Sequence, residues 1–105
     1  MIDSRVELPL TYSHPMDDSV YSNWADILKT LGHPIRIRII ESLLDAEKCV
    51  GAIWSNLDLP QSTVSQHLSL LRSKGIVQHE RCGAKVKYFV RDRRIEEIIK
   101  VIKTR

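Results

Sequence analysis

Only two cysteines, Cys49 and Cys82, occur in the 105 residues, too few for the disulfide framework of a small secreted domain. Glycine is scarce as well: Gly32, Gly51, Gly75 and Gly83 stand far apart and make no phosphate-cradling loop. No apolar run is long enough to cross a bilayer as a helix. The N-terminal residues lack the basic segment and apolar stretch of a secretion signal, so a cytoplasmic protein is expected. The four histidines, His14, His33, His67 and His79, form no recognisable motif with a nucleophilic Ser or Cys, and nothing in the chain supports an enzyme. Carboxylates are also unevenly spread. Between Gln61 and Arg94 eight Lys and Arg stand against Glu80 and Asp92 alone, a balance of +6, whereas residues 1–30 carry −3.

What is present is organised around Leu57 to Gly75. Pro60 suits a first helical turn, and Gly75 after Arg72 and Lys74 is a C-terminal stop. Val64, Leu68 and Leu71 fall at i, i+4 and i+7 and make one apolar face. Ser62, Gln66, Ser69 and Ser73 lie nearly opposite, with Ser65 beside them. An ordinary solvated face in so charged a chain would carry Lys and Glu. This one has short hydrogen-bonding groups and no carboxylate, so it can approach a polyanion and bond to base edges.

The rest of the chain gives one small domain, since 43% hydrophobic residues can close a modest core. Residues 1–16 have no helical period, are punctuated by Pro9 and Pro15, and are expected to form an arm; residues 17–105 are expected to form the domain. A helix is predicted from Asp18 to Leu31, with Val20, Trp24, Ile27, Leu28 and Leu31 on one face and Gly32 as its stop. His33-Pro34 opens a second, with Ile35, Ile39, Ile40, Leu43 and Leu44 inward and Arg36, Arg38 and Glu41 outward. Lys48-Cys49 is a break of strand character, followed by a short helix from Val50 to Asn56 and a tight turn at Asp58-Leu59. After the Ser/Gln helix, Ile76–Arg81 and Val86–Val90 read as a hairpin with a basic tip around Cys82–Lys85, and Val86, Tyr88 and Val90 share a face. Asp92 caps a last helix whose apolar side is Ile95, Ile98, Ile99 and Ile102. The expected fold is mainly α with a small β-hairpin: a winged helix-turn-helix of about five helices and a two- or three-stranded wing.

For duplex DNA, Gln61, Ser62, Thr63, Ser65 and Gln66 are the candidate groove residues, with His67 nearer the core side. Arg72, Lys74, Lys85 and Lys87 are candidates for the phosphates. A winged helix that docks proteins and ignores DNA is the alternative, and the +6 segment argues against it.

The strings Leu31-Gly32-His33-Pro34-Ile35-Arg36, Cys49-Val50-Gly51, Gln61-Ser62-Thr63-Val64-Ser65-Gln66-His67-Leu68 and Leu71-Arg72 with Gly75-Ile76-Val77 resemble the ArsR/SmtB family of arsenic- and metal-responsive repressors. The resemblance runs from about Tyr21 to the C-terminus. It implies a homodimer joined through the first and last helices, a twofold operator, and release by an inducer. Candidates for the dimer seam are Val20, Trp24, Ile27 and Leu28 with Ile95, Ile98, Ile99 and Ile102.

Both metal patterns of the family are incomplete here. Where one has Cys-Val-Cys, this chain has Cys49-Val50-Gly51; where the other has Asp and then His two residues on, it has Asp92 and Arg94. Neither pattern supplies the ligands of a four-coordinate site, and Cys49 is the one candidate contact for a soft ion such as arsenite. Cys49 and Cys82 are the sensor candidates, each in a setting that favours a thiolate.

Overall fold

The computed structural model describes residues 16–46 and 48–104. The arm expected over residues 1–16 therefore lies outside the described residues, apart from Met16. Helix α1 spans Asp18–Leu31, α2 Pro34–Asp45, α3 Val50–Leu57, α4 Gln61–Ser73 and α5 Arg93–Lys103; strands β1 (Lys48–Cys49), β2 (Gln78–Cys82) and β3 (Lys85–Phe89) make the wing.

Local chemistry sets these bounds. Asp17 caps α1 by accepting from the Ser19 amide at 3.4 Å, and His33 caps α2 through Nδ1, which accepts from the Ile35 amide at 3.1 Å. Pro34 occupies the first turn of α2, where its missing N–H has no cost. Pro60 stands one place earlier relative to α4 than the sequence suggested: it is the cap residue, at φ −59° and ψ 143°, and Gln61 opens the helix. The end of α4 depends on Gly75, whose φ of +75° lets its amide reach the Arg72 carbonyl and the Ile76 amide reach the Leu71 carbonyl, both at 3.0 Å. Ile76 and Val77 thereby turn inward and are buried, so the strand starts only at Gln78. Between α3 and α4, Asp58 takes the left-handed conformation (φ 55°) that reverses the chain in the helix-turn-helix.

Helix α2 lies at the centre. Its Ile39, Ile40 and Leu43 pack with Ile27 and Leu31 of α1, Ile53 of α3, Val64, Leu68 and Leu71 of α4, and Ile95 and Ile99 of α5. Full burial of one such side chain stabilises by roughly 1.5–3 kcal/mol, so this cluster fixes how the helices cross. Thr30 is buried among them, and its hydroxyl donates to the Asp26 carbonyl at 2.8 Å.

The wing is a three-stranded antiparallel sheet in the order β1-β3-β2. Cys82 pairs with Lys85, leaving a two-residue turn in which only Gly83 has positive φ (+65°). Val86, Tyr88 and Val90 are half-buried, and Tyr88 and Val90 pack on the core. Phe89, on the opposite side, is also buried, under the Arg91 guanidinium at 4.3 Å from its ring centre.

The seam candidates divide. Ile27, Ile95 and Ile99 belong to the chain's own core, whereas Val20, Trp24 and Ile98 are half-buried and Leu28 and Ile102 stay exposed. Arg36 is a correction: it was expected outward on α2, but it is half-buried and hydrogen-bonded inward, because both α1 and α4 offer it acceptors.

Candidate nucleic-acid interface

Burial of Val64, Leu68 and Leu71 rotates α4 so that Gln61, Ser62, Ser65, Gln66 and Ser69 all face solvent, with Thr63 and His67 half-buried at the margin. The helix carries no acidic side chain, and Pro60 brings no capping side-chain bond, so the first-turn amides remain free for an anion. His67 turns away from the groove candidates: its Nδ1 accepts from Nε of Arg36 at 3.2 Å, and its ring lies 4.6 Å from that of His33. Desolvation, then the neighbouring His33 and Arg36, hold its pKa below the ordinary histidine value.

The four phosphate candidates fall into two pairs. Arg72 meets His79 of β2 at 2.6 Å, and Lys74 pairs with Asp26 of α1 at 3.1 Å, so both bases at the end of α4 already have partners. Lys85 and Lys87 alternate along β3, are exposed, and lie on one face of the wing. Cys49 is opposite Lys87 across one ladder, and Glu80 is opposite Lys87 across the other, so these residues share that face with Lys85 and Cys82.

Cys49 is half-buried and immediately precedes α3. Its thiol pKa is lowered chiefly by the Ala52 amide, against a smaller opposing effect of burial, with help from Lys85 and the Gly51 amide. Cys82 is exposed at the far end of β2. Strand β3 separates the two. Two strand spacings and a two-residue offset put their Cα atoms about 12 Å apart. A bond between them within one chain is excluded, since a disulfide needs Cα atoms closer than about 7 Å.

The residues present do not fit the family's zinc site. The Asp92 carboxylate caps α5 through the Arg94 amide at 2.9 Å, and the Arg94 side chain grips both its oxygens at 3.1 and 3.0 Å. The same guanidinium stacks over Trp24 at 4.7 Å. A fixed cation thus fills the place of a ligand and, chiefly through its side-chain hydrogen bonds, lowers the pKa of Asp92. Among the described residues no group of three or more His, Cys, Asp or Glu is placed to hold a metal ion. No helix among them is long and apolar enough to cross a membrane.

Arg36 and His79 are the residues that sequence reasoning missed, whereas Arg94 was singled out as the replacement for a ligand but not as a partner of Asp92 and Trp24. Arg36 lies within the resembling string, but period alone sent it outward. His79 faces Arg72 only because of where the wing begins.

A second helix that offers hydrogen-bonding groups without negative charge, tied at its end to a basic wing, is the reading surface of a winged helix-turn-helix regulator of transcription. Residues 33–79 match the family described as "Bacterial regulatory protein, arsR family". The chain is 33% identical over 97 residues to the HTH-type transcriptional repressor SmtB of Mycobacterium tuberculosis, covering 92% of this chain and 71% of that protein. It is 39% identical over 79 residues to the transcriptional repressor PagR of Bacillus anthracis, covering 74% of this chain and 79% of PagR. The crystal structure of PagR matches with a TM-score of 0.77 at 36% identity, over 82% of this chain and 99% of that one. The chain belongs to the ArsR/SmtB family and is a DNA-binding transcriptional repressor, not an enzyme.

Proposed function

We propose that the chain acts in the cytoplasm as a homodimer on a twofold operator and is released when a thiol-reactive inducer modifies Cys49. The observation that carries the DNA mode is the exposed, carboxylate-free face of α4 beside Lys85 and Lys87. Gln61, Ser62, Ser65 and Gln66 read base edges, Thr63 lies at their margin, and the two wing lysines contact phosphates.

The dimer reading rests on the exposed apolar side chains of α1 and α5. Leu28 is 51% exposed, Val101 69% and Ile102 55%, and the two helices meet where Arg94 covers Trp24. A twofold seam there sets two copies of α4 about one DNA turn, or a multiple, apart, which calls for an inverted repeat. The inducer reading rests on Cys49, whose thiol is lowered in pKa and shares a sheet face with both wing lysines. Arsenite or another soft ion would find one thiolate of this chain there, which favours reagents that need only one, such as peroxides and persulfides.

The experiment is selection of a duplex from a random pool, followed by binding at two salt concentrations and footprinting. Enrichment of an inverted repeat, with affinity falling steeply in salt, supports the proposal. A monomer on a single half-site contradicts it, and the absence of any enriched duplex favours a protein-docking winged helix. Release by peroxide, persulfide or arsenite that persists in Cys49→Ser removes the inducer assignment.

A further inference from the structure

Arg36 bridges three elements. From α2 its Nη1 donates to the carbonyl of Thr30, in the last turn of α1, at 3.0 Å, while its Nε donates to Nδ1 of His67, midway along α4, at 3.2 Å. Asp26 and Lys74 make a second tie between the same two helices at 3.1 Å. The recognition helix is therefore fastened to the helix proposed for the dimer seam by a polar pair as well as by the core. We propose that Arg36 and His67 are positioning residues that lock α4 at the angle needed for sequence reading, and that the lock holds only while His67 is neutral. This rests on the DNA reading above.

The reason lies in the donors. A guanidinium has only N–H groups to offer, so His67 can accept from it only with a bare Nδ1. A proton on that nitrogen turns an acceptor into a donor facing a donor, and sets a second positive charge against Arg36. The titratable groups facing His67 are Arg36, from α2, and His33, the cap of that helix. His33 is itself committed through Nδ1 to the Ile35 amide. Helix α3, which also packs on α4, has no ionisable side chain, and α1 presents Thr30 and the Asp26 already paired with Lys74. No carboxylate among these groups is placed to compensate an imidazolium at His67. The predicted sign is thus opposite to that of simple charge. Added protons should strengthen binding to any polyanion, whereas breaking the lock weakens the reading of a particular sequence.

The test uses full-length protein, a duplex selected by wild type from a random pool, and a scrambled duplex of equal composition. R36A should bind the selected duplex about tenfold more weakly, the loss expected of one charged hydrogen bond. Its affinity for the scrambled duplex should change little. R36K should not restore the difference, because one ammonium cannot span both acceptors. Between pH 7.5 and 5.5 wild type should lose preference for the selected duplex, whereas H67N, whose amide oxygen can stand in for Nδ1 without titrating, should not. The other histidines are unchanged in H67N, so the difference between the two curves isolates the replaced side chain and its contacts with Arg36 and His33. A wild-type sequence preference in R36A, or a wild-type pH curve in H67N, overturns the proposal. If no duplex is enriched, the DNA reading fails, and imidazole nitrogen NMR of the free protein tests the pair: a His67 Nδ1 signal unmoved in R36A overturns it, and a displaced one supports it.

Discussion

Arg72, in the last turn of the recognition helix, and His79, in the first strand of the hairpin, hold nitrogen against nitrogen at 2.6 Å. Since Arg72 can only donate, Nε2 of His79 accepts and the imidazole carries its proton on Nδ1. The His79 ring meets Tyr88 edge-on at 5.8 Å, so helix end, β2 and β3 are joined through one side chain. His79→Ala should lower affinity for every duplex by about 0.5–1.5 kcal/mol, the net worth of one such bond. A double-mutant cycle with Arg72→Ala, read by fluorescence anisotropy, should show the two losses to be non-additive.

Gln66→Ala should lose about 1–3 kcal/mol on the selected duplex and relax one base position. Lys85→Ala should instead weaken all duplexes alike and reduce the salt slope by about one. Titrations of both variants at several salt concentrations check the division between reading and holding.

Leu28→Glu and Ile102→Glu place charge on exposed positions of α1 and α5, so each variant should fold. Sedimentation should find them monomeric, with poor DNA affinity. A dimer that survives both substitutions would move the seam elsewhere.

At neutral pH the lowered pKa of Cys49 means a larger thiolate fraction than that of an ordinary thiol, so iodoacetamide should modify it faster than a free cysteine. Lys85→Ala removes a positive neighbour and should slow that reaction. Oxidation should yield no Cys49–Cys82 bond within one chain, as mass spectrometry of the monomer band can show.

Asp92→Ala removes the cap of α5 and should cost about 0.5–2 kcal/mol in a thermal or denaturant melt. Because its partners lower the pKa of Asp92 in the folded chain, this stabilisation is complete above the ordinary carboxylate value and is lost as pH falls through the lowered one. For His67 the folded pKa is likewise lowered, so its contribution is complete above about pH 6.5 and declines as pH falls toward the folded value.

How much of this was legible without coordinates depends on whether the signal was local. The caps Asp17, His33 and Asp92, the stop at Gly75 and the apolar period of α4 are written into neighbouring residues, and the elements follow them closely. Lys48-Cys49 could be seen as strand-like and as a third strand of the wing, but which hairpin strand it joins could not, and that choice decides that β3 separates the two thiols. Apolar faces were visible on α1 and α5. Periodicity alone does not distinguish Ile99, which closes the core, from Ile102, which is left outside one turn away. Arg36 was misread for a related reason: a helical wheel assigns charge to solvent and cannot register acceptors waiting on two other helices.

Strand β2 is a free margin of the sheet, and all five of its residues are exposed. Its outer line of backbone amides and carbonyls invites another strand, and Glu80 and Arg81 are the kind of side chains that keep such margins apart. The charge proposed to bring this wing to DNA would therefore also discourage edge-to-edge pairing of two copies when no DNA is near. Variants intended to abolish operator binding are better made by reversing wing charges than by neutralising them, since an uncharged wing would trade a binding defect for aggregation.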